Sequence, residues 1–200
     1  MNQLTYELFL TIINFLEGTF TNNPTFYPGV AGALIAFFGI RNQRRTSREK
    51  NSLDFEAAYK RSADVRNAWQ ILLKIEKNRL NVPLSYWGKK ESAESKESVA
   101  LKIIFNEWER CANAVNNNLY DDNYLYKVYG STLIFLDIHF EPYMQECRKR
   151  NPRFYRNLKC LALKWRVRRS QEGDSAQLTR EYKKKLRLAH RAVKKLNVKY

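Results

Sequence analysis

Apolar residues dominate the first forty positions, where only Glu7 and Glu17 are charged, and beyond Ile40 they return at helical intervals among charged ones. Two apolar stretches, 4–20 and 26–40, are divided by Thr21-Asn22-Asn23-Pro24-Thr25. In the first, Gln3, Glu7, Thr11, Asn14 and Gly18 recur at spacings of four, four, three and four, so they share one stripe of a helix. Leu8, Phe9, Ile12, Ile13, Phe15 and Leu16 occupy the remainder. Three placements satisfy this pattern: a helix in the membrane interface, a span whose polar stripe meets partner subunits or water, or a buried helix of a soluble fold. The second stretch carries no charge and, at about 1.5 Å per residue, reaches roughly 22 Å, short of the ~30 Å hydrocarbon core. Gly29 with Ala33 and Gly32 with Ala36 form two small-xxx-small pairs, which let helix backbones approach closely.

After the leader the spacing of three and four predicts helix throughout, and no stretch alternates like a strand. A first helix continues from the leader through Leu53, Ala57, Val65, Ala68, Trp69, Leu72 and Leu73 until Pro83 stops it. Residues 83–98 are polar and repetitive and read as a mobile connection. Leu101, Ile104, Phe105, Trp108, Cys111, Ala112 and Val115 set a second helix, ended by Asn116-Asn117-Asn118. Asp121 or Asp122 caps a third that runs from Leu125 to Cys147, kinked by Pro142. Pro152 suits the first turn of a fourth, whose arc is Phe154, Leu158, Leu161, Ala162 and Trp165 with Arg153, Arg156, Lys159 and Lys164 mostly opposite. Gly173-Asp174-Ser175 breaks the chain before a last helix with Leu178, Tyr182, Leu186, Ala189, Val193 and Leu196. The expected fold is all-α: a membrane anchor over 1–40, a cytoplasmic helical domain over 41–172, and a basic amphipathic helix over 173–200, with about five helices beyond the anchor.

Charge sharpens the boundary at Arg41. All 36 Lys and Arg lie after position 40, and the formal net charge of +16 becomes +18 once Glu7 and Glu17 of the leader are set aside. Cationic residues are retained on the cytoplasmic side of a membrane, so Arg41, Arg44 and Arg45 mark the cytoplasmic edge of a membrane anchor. A surface this basic is drawn to phosphate, in anionic lipid headgroups or in nucleic acid. Two cationic regions follow: Arg153 and Arg156 lie in one, and Lys183, Lys184, Lys185, Arg187, Lys194 and Lys195 in the other. Phe154, Tyr155, Trp165 and Tyr182 sit among these charges, at spacings that fit core better than base stacking. Cys111, Cys147 and Cys160 read as reduced thiols in helices.

Leucine-rich and aromatic landmarks also form a familiar order: Arg44-Arg45-Thr46, Leu53-Asp54-Phe55, the 101–115 helix, the asparagine joint, Phe140-Glu141-Pro142-Tyr143, Pro152-Arg153-Phe154-Tyr155, and a run from Leu161 to Trp165. This order, over roughly residues 30 to 166, resembles the bacterial and phage proteins that carry domain of unknown function 4760. The resemblance implies architecture and bacterial origin rather than an activity. In size, charge and layout the chain is also similar to the accessory membrane-pore proteins of type VI-B CRISPR systems. The Arg-x4-6-His signature of HEPN-type ribonucleases is absent: Lys183, Lys184 and Lys185 precede His190 at that distance, and Thr132, Leu133 and Ile134 precede His139.

Candidate chemistry is sparse. The sequence has no phosphate-cradling glycine loop, no GxSxG, no HExxH and no zinc-spaced cysteines, so no catalytic residue, metal or cofactor is expected. Asp137, His139 and Glu141 are the one compact polar group. On a helix the two carboxylates share a face and the histidine points away, which predicts a solvent-facing acidic pair and a packing histidine; Glu107 and Glu109 read as surface charges. With the origin that the resemblance implies, the expectation is a non-enzymatic protein of the bacterial inner membrane, its body on the cytoplasmic side, that self-associates through Glu7, Asn14, Gly29, Gly32, Ala33 and Ala36. It would bind anionic lipid and act as a phage-defence or exclusion effector that forms a pore or otherwise alters membrane integrity. The alternatives are a tethered nucleic-acid-binding protein and a scaffold for a protein partner.

Overall fold

The computed structural model describes residues 7, 11, 14, 18, 26–173 and 175–197. The readings made on Gln3, on the apolar residues between 8 and 16, on the joint 21–25 and on Asp174 lie outside them. From residue 26 onward the described residues hold seven α-helices and one short 3-10 turn, and no described residue lies in a strand. They are α1 (Phe26–Arg61), α2 (Ala63–Lys77), the 3-10 turn (Leu84–Gly88), α3 (Lys96–Asn116), α4 (Asp122–His139), α5 (Glu141–Arg150), α6 (Arg156–Glu172) and α7 (Ala176–Asn197). The chain divides into two units, Met1–Thr46 and Ser47–Tyr200. In the first, Glu7, Thr11, Asn14 and Gly18 are helical and exposed, and the Thr11 hydroxyl donates to the Glu7 carbonyl at 2.8 Å.

In the second unit α6 is the central element, packed against α3 and α4 and lined along its length by α7. The core is aromatic: Trp108, Trp165, Tyr143, Phe105 and Phe140 are fully buried. The rear of α1 closes it from residue 47 onward. Ser52 is completely buried, donating to the Arg48 carbonyl at 2.9 Å and accepting from the Asp121 amide at 2.7 Å. Phe55 and Tyr59 stack edge-on or tilted against Trp108, Tyr120 and Tyr129. The Tyr59 hydroxyl accepts from two indoles, Trp69 at 2.6 Å and Trp108 at 3.0 Å.

Several predicted boundaries need correction. The first helix does not run to Pro83. Ser62 breaks it, because its hydroxyl takes the Val65 amide at 3.2 Å and starts a new helix, which ends at Lys77. The 83–98 segment is built rather than loose. Leu84, Gly88, Ser92 and Ser98 are buried, and serine hydroxyls donate to the carbonyls of Tyr86 (2.8 Å), Ser92 (2.7 Å) and Trp87 (2.9 Å). A Cβ on Gly88 would stand 2.7 Å from the Glu146 Cβ and 3.0 Å from the Tyr143 carbonyl, so glycine lets this turn seat on α5.

The kinked third helix is two helices. Phe140 closes α4 and opens α5, with Pro142 in the first turn, where its missing N–H costs nothing. Pro152 does not open the fourth helix either. Tyr155 adopts the left-handed conformation (φ 57°), so the helix begins only at Arg156, while the Tyr155 ring is buried and stacked on Tyr143. Asp121 is confirmed as the cap of α4, accepting from the Tyr124 amide at 2.7 Å.

Candidate membrane and anion surfaces

The feature of α1 that stands apart is its first half. Every residue from 28 to 47 is exposed, including Ile35 (73%), Phe38 (62%), Phe37 (58%) and Leu34 (52%). At about 100° per residue Phe37, Leu34, Phe38 and Ile35 span roughly 160° of the helix, and Gly32, Ala36 and Gly39 take the opposite side, so no polar side chain interrupts the surface between 28 and 40. A contiguous apolar surface of this kind is uncommon on a protein that has no further partner. Gly29, Gly32, Ala33 and Ala36 are exposed as well, and a Cβ on either glycine would meet nothing within 4 Å. Arg41, Arg44 and Arg45 follow directly, all exposed. Among the described residues no helix is long and apolar enough to cross a membrane. Glu7 and Asn14 are both exposed on the helical stripe read from the sequence.

The second unit sorts the cations into two kinds. Lys159 and Arg166 are not surface charges: Lys159 Nζ lies 2.7 Å from Asp137 Oδ1 and also pairs with Glu141, and Arg166 Nη1 lies 3.0 Å from Asp137 Oδ2. The Asp137 side chain is wholly buried, so the expectation of a solvent-facing acidic pair is corrected. The shared helical face of the two carboxylates holds, and Lys159 bridges it across the α4–α5 break. His139 turns the other way, 3.0 Å from Glu76. Arg148 completes the network, reaching Glu141 (3.4 Å) and the carbonyls of Phe154 (3.1 Å) and Tyr155 (3.2 Å), which ties α5 to the turn before α6. Arg156 donates to the Pro152 carbonyl at 2.8 Å, and Arg153 is exposed.

Glu109 is also corrected. It is a half-buried cap, accepting from the amides of Asn157 (3.1 Å) and Leu158 (2.8 Å) and from the Asn157 side chain (3.0 Å). Those are orphan donors of the first turn of α6. Burial outweighs these bonds and pushes its carboxyl above the ordinary range.

A further set of cations lines α7. Its inner face is Thr179, Tyr182, Leu186, Ala189 and Val193, with the Thr179 and Ser170 hydroxyls 2.8 Å apart and the Arg166 guanidinium 4.3 Å above the Tyr182 ring. Arg180, Lys184, Arg187 and Arg191 recur at i, i+4, i+7 and i+11, about 150° away from that face, and form an exposed outer ridge about 16 Å long. Arg180 and Arg191 escaped the sequence reading. Their spacing against the inner-face residues was the signal that would have found them. Lys183, Lys194 and Lys195 are exposed beside the ridge, and Lys185 is engaged with Glu181. Of the aromatics among these charges, Tyr155 and Trp165 are core and Phe154 is 39% exposed.

The three thiols are free and buried, and burial pushes all of them up, Cys160 to about 11. Among the described residues no group of His, Cys, Asp and Glu is placed to hold a metal ion.

No curated protein and no solved structure matches the chain. A family match covers residues 27–165, from the exposed apolar segment of α1 to Trp165 in α6, and leaves α7 outside. The chain therefore belongs to the family described as Domain of unknown function (DUF4760).

Proposed function

We propose that this is a membrane-associated, self-associating helical protein, without catalytic activity. Its apolar segment up to Ile40 enters a bilayer, and its basic body lies on the anionic cytoplasmic side. One observation carries the reading: the exposed apolar surface of residues 28–40 ends abruptly at Arg41, Arg44 and Arg45. Apolar side chains gain by leaving water on every side of that helix, and the arginines gain by staying at phosphate. At roughly 22 Å the 26–40 stretch is shorter than a ~30 Å hydrocarbon core, which favours a thinned bilayer or help from neighbouring helices. Gly29, Gly32, Ala33 and Ala36 supply a surface on which a second copy's helix would approach closely.

The test is fractionation of cells that express the full chain, followed by the mass of the detergent-solubilised particle. The reading expects the protein in the membrane pellet after a high-salt wash, as a particle of several subunits. A chain that stays in the supernatant refutes membrane association, and a monomer in detergent refutes self-association. Within this reading the exclusion-effector role reduces to one measurement, membrane potential during phage infection with and without residues 1–40. An identical potential in both removes that role.

Nucleic-acid binding is the second reading, favoured by the Arg180–Lys184–Arg187–Arg191 ridge of α7. Lipid ranks above it because the aromatic platforms that would hold single-stranded bases are mostly core, whereas Leu188, 55% exposed, lies beside the ridge. Anionic vesicles and an oligonucleotide, offered separately to the full chain at low salt, discriminate the two.

A further inference from the structure

Where α3 ends, α6 begins and the last turns of α7 pass, the second unit holds an open groove of about 560 Å³. Three helices contribute to it: Asn116 and Asn118 from the end of α3, Asn157 and Lys164 from α6, His190 and Lys194 from α7. The charged residues of its lining are lysines, and no carboxylate joins them. Helix termination explains part of the asparagine run. Asn117 caps α3 and its side chain donates to the Asn113 carbonyl at 2.8 Å, and Asn118 takes the left-handed conformation (φ 56°) that asparagine tolerates.

Termination does not explain the rest. The Asn116 amide reaches only Asn157 Oδ1, at 3.5 Å, the outer limit of a hydrogen bond. Among the described residues Lys194 and His190 have neither an ion pair nor a hydrogen bond, while Lys164 is shared with Asp122 at 3.0 Å. The negative end of the α3 dipole would repel an anion, but its last carbonyls are occupied internally. Asn113, Val115 and Ala114 accept from the amides of Asn117 (3.1 Å), Asn118 (3.0 Å) and Leu119 (2.9 Å).

We propose that this groove binds a small phosphorylated molecule of nucleotide size, with its phosphate at Lys194 and His190 and its polar remainder read by the amides of Asn116 and Asn118. The volume falls within the roughly 300–1,000 Å³ of small-molecule sites, and Val115, Cys160 and Val193 give it an apolar floor. An asparagine amide donates and accepts side by side, which matches the edge of a nucleobase or the vicinal hydroxyls of a sugar. The site is independent of membrane association.

The test is calorimetric titration of the full-length chain in detergent with adenosine monophosphate, ribose 5-phosphate, adenosine and inorganic phosphate. The expected result is binding of at least one organic phosphate with a Kd below about 1 mM, about tenfold or more tighter than adenosine and than inorganic phosphate. Preference for adenosine monophosphate assigns the amides to a base, and parity with ribose 5-phosphate assigns them to a sugar phosphate. The paired change His190→Gln and Lys194→Gln should weaken binding by about tenfold or more, and Asn116→Ala by at least about threefold. Lys184→Gln with Arg191→Gln, two ridge cations that do not line the groove, should leave affinity within about twofold. Absence of binding by both organic phosphates, equal affinity for adenosine, or an equal loss from the ridge pair would each overturn the proposal.

Discussion

The sharpest prediction concerns Phe37 and Phe38. Both are more than half exposed, 58% and 62%, their rings meet edge-on at 5.6 Å, and neither belongs to the buried core of the second unit. Moving a phenylalanine fully out of water is worth about 1.5–3 kcal/mol, so lipid covering the exposed part of each ring gains about 1–2 kcal/mol. Phe37→Ser with Phe38→Ser should therefore lower the partition coefficient onto vesicles by roughly 30- to 1,000-fold, about 2–4 kcal/mol. The adjoining arginines act differently. Arg41, Arg44 and Arg45 contribute about 1 kcal/mol each near an anionic surface, and that contribution fades once salt shortens the Debye length below about 5 Å.

The assay is vesicle flotation of the full-length protein and its variants, with and without anionic lipid, at low and at high salt. The serine pair should lose binding at every salt concentration. Gln at the three arginine positions should lose it only at low salt and only on anionic vesicles. If the serine pair floats as the parent does, or if salt alone strips the parent from the vesicles, the apolar segment is not what enters lipid, and the body's charge accounts for any attachment.

Two further predictions concern the bundle. Tyr59→Phe leaves the indole N–H groups of Trp69 and Trp108 without their acceptor and should destabilise the chain by about 1–3 kcal/mol, read from denaturant unfolding followed by tryptophan fluorescence; an unchanged midpoint would show that the hydroxyl is dispensable. Glu109→Ala removes the acceptor of two backbone amides in α6 and should cost about 2–4 kcal/mol, a loss that an equal melting temperature would disprove. Because burial holds the folded Glu109 carboxyl above its ordinary value of 4.5, the native state keeps a proton that the unfolded chain releases. Its contribution to stability therefore falls as pH rises from 4.5 through the raised value, and Glu109→Gln should flatten that part of the stability–pH curve.

What the sequence made legible, and what it concealed, follow from the reach of the interactions. Core positions of α3, α4 and α6 repeat every three or four residues, so Leu101, Phe105, Trp108, Leu133, Leu161 and Trp165 were readable as core. The apolar leader and its arginine edge were equally plain. Boundaries failed where a single side chain outweighed periodicity: Ser62 taking an amide, Tyr155 forced left-handed, three serine hydroxyls holding 83–98 in place. The charged residues misled most. Asp137 bonds residues 22 and 29 positions away and Glu109 bonds 48 and 49 away, so each looks solvated until the helices that meet it are placed. The groove was hidden for the same reason, since its asparagines, lysines and histidine come from three separate helices.

The extent of the family match separates the two functional readings. It begins at residue 27, just before the exposed apolar segment, and ends at Trp165, before α7. The surface proposed to enter lipid thus lies within what the family pattern describes, together with the core that α3, α4, α5 and α6 build. The α7 ridge and the His190–Lys194 wall of the groove lie beyond it. Membrane attachment should accordingly recur among family members that carry an apolar α1 ending in arginines. Phosphate binding requires in addition a C-terminal helix that lies along α6 and brings a lysine and a histidine one turn apart to the end of α3. A relative that lacks such a helix and still binds organic phosphate with comparable affinity would show that α7 does not form the site.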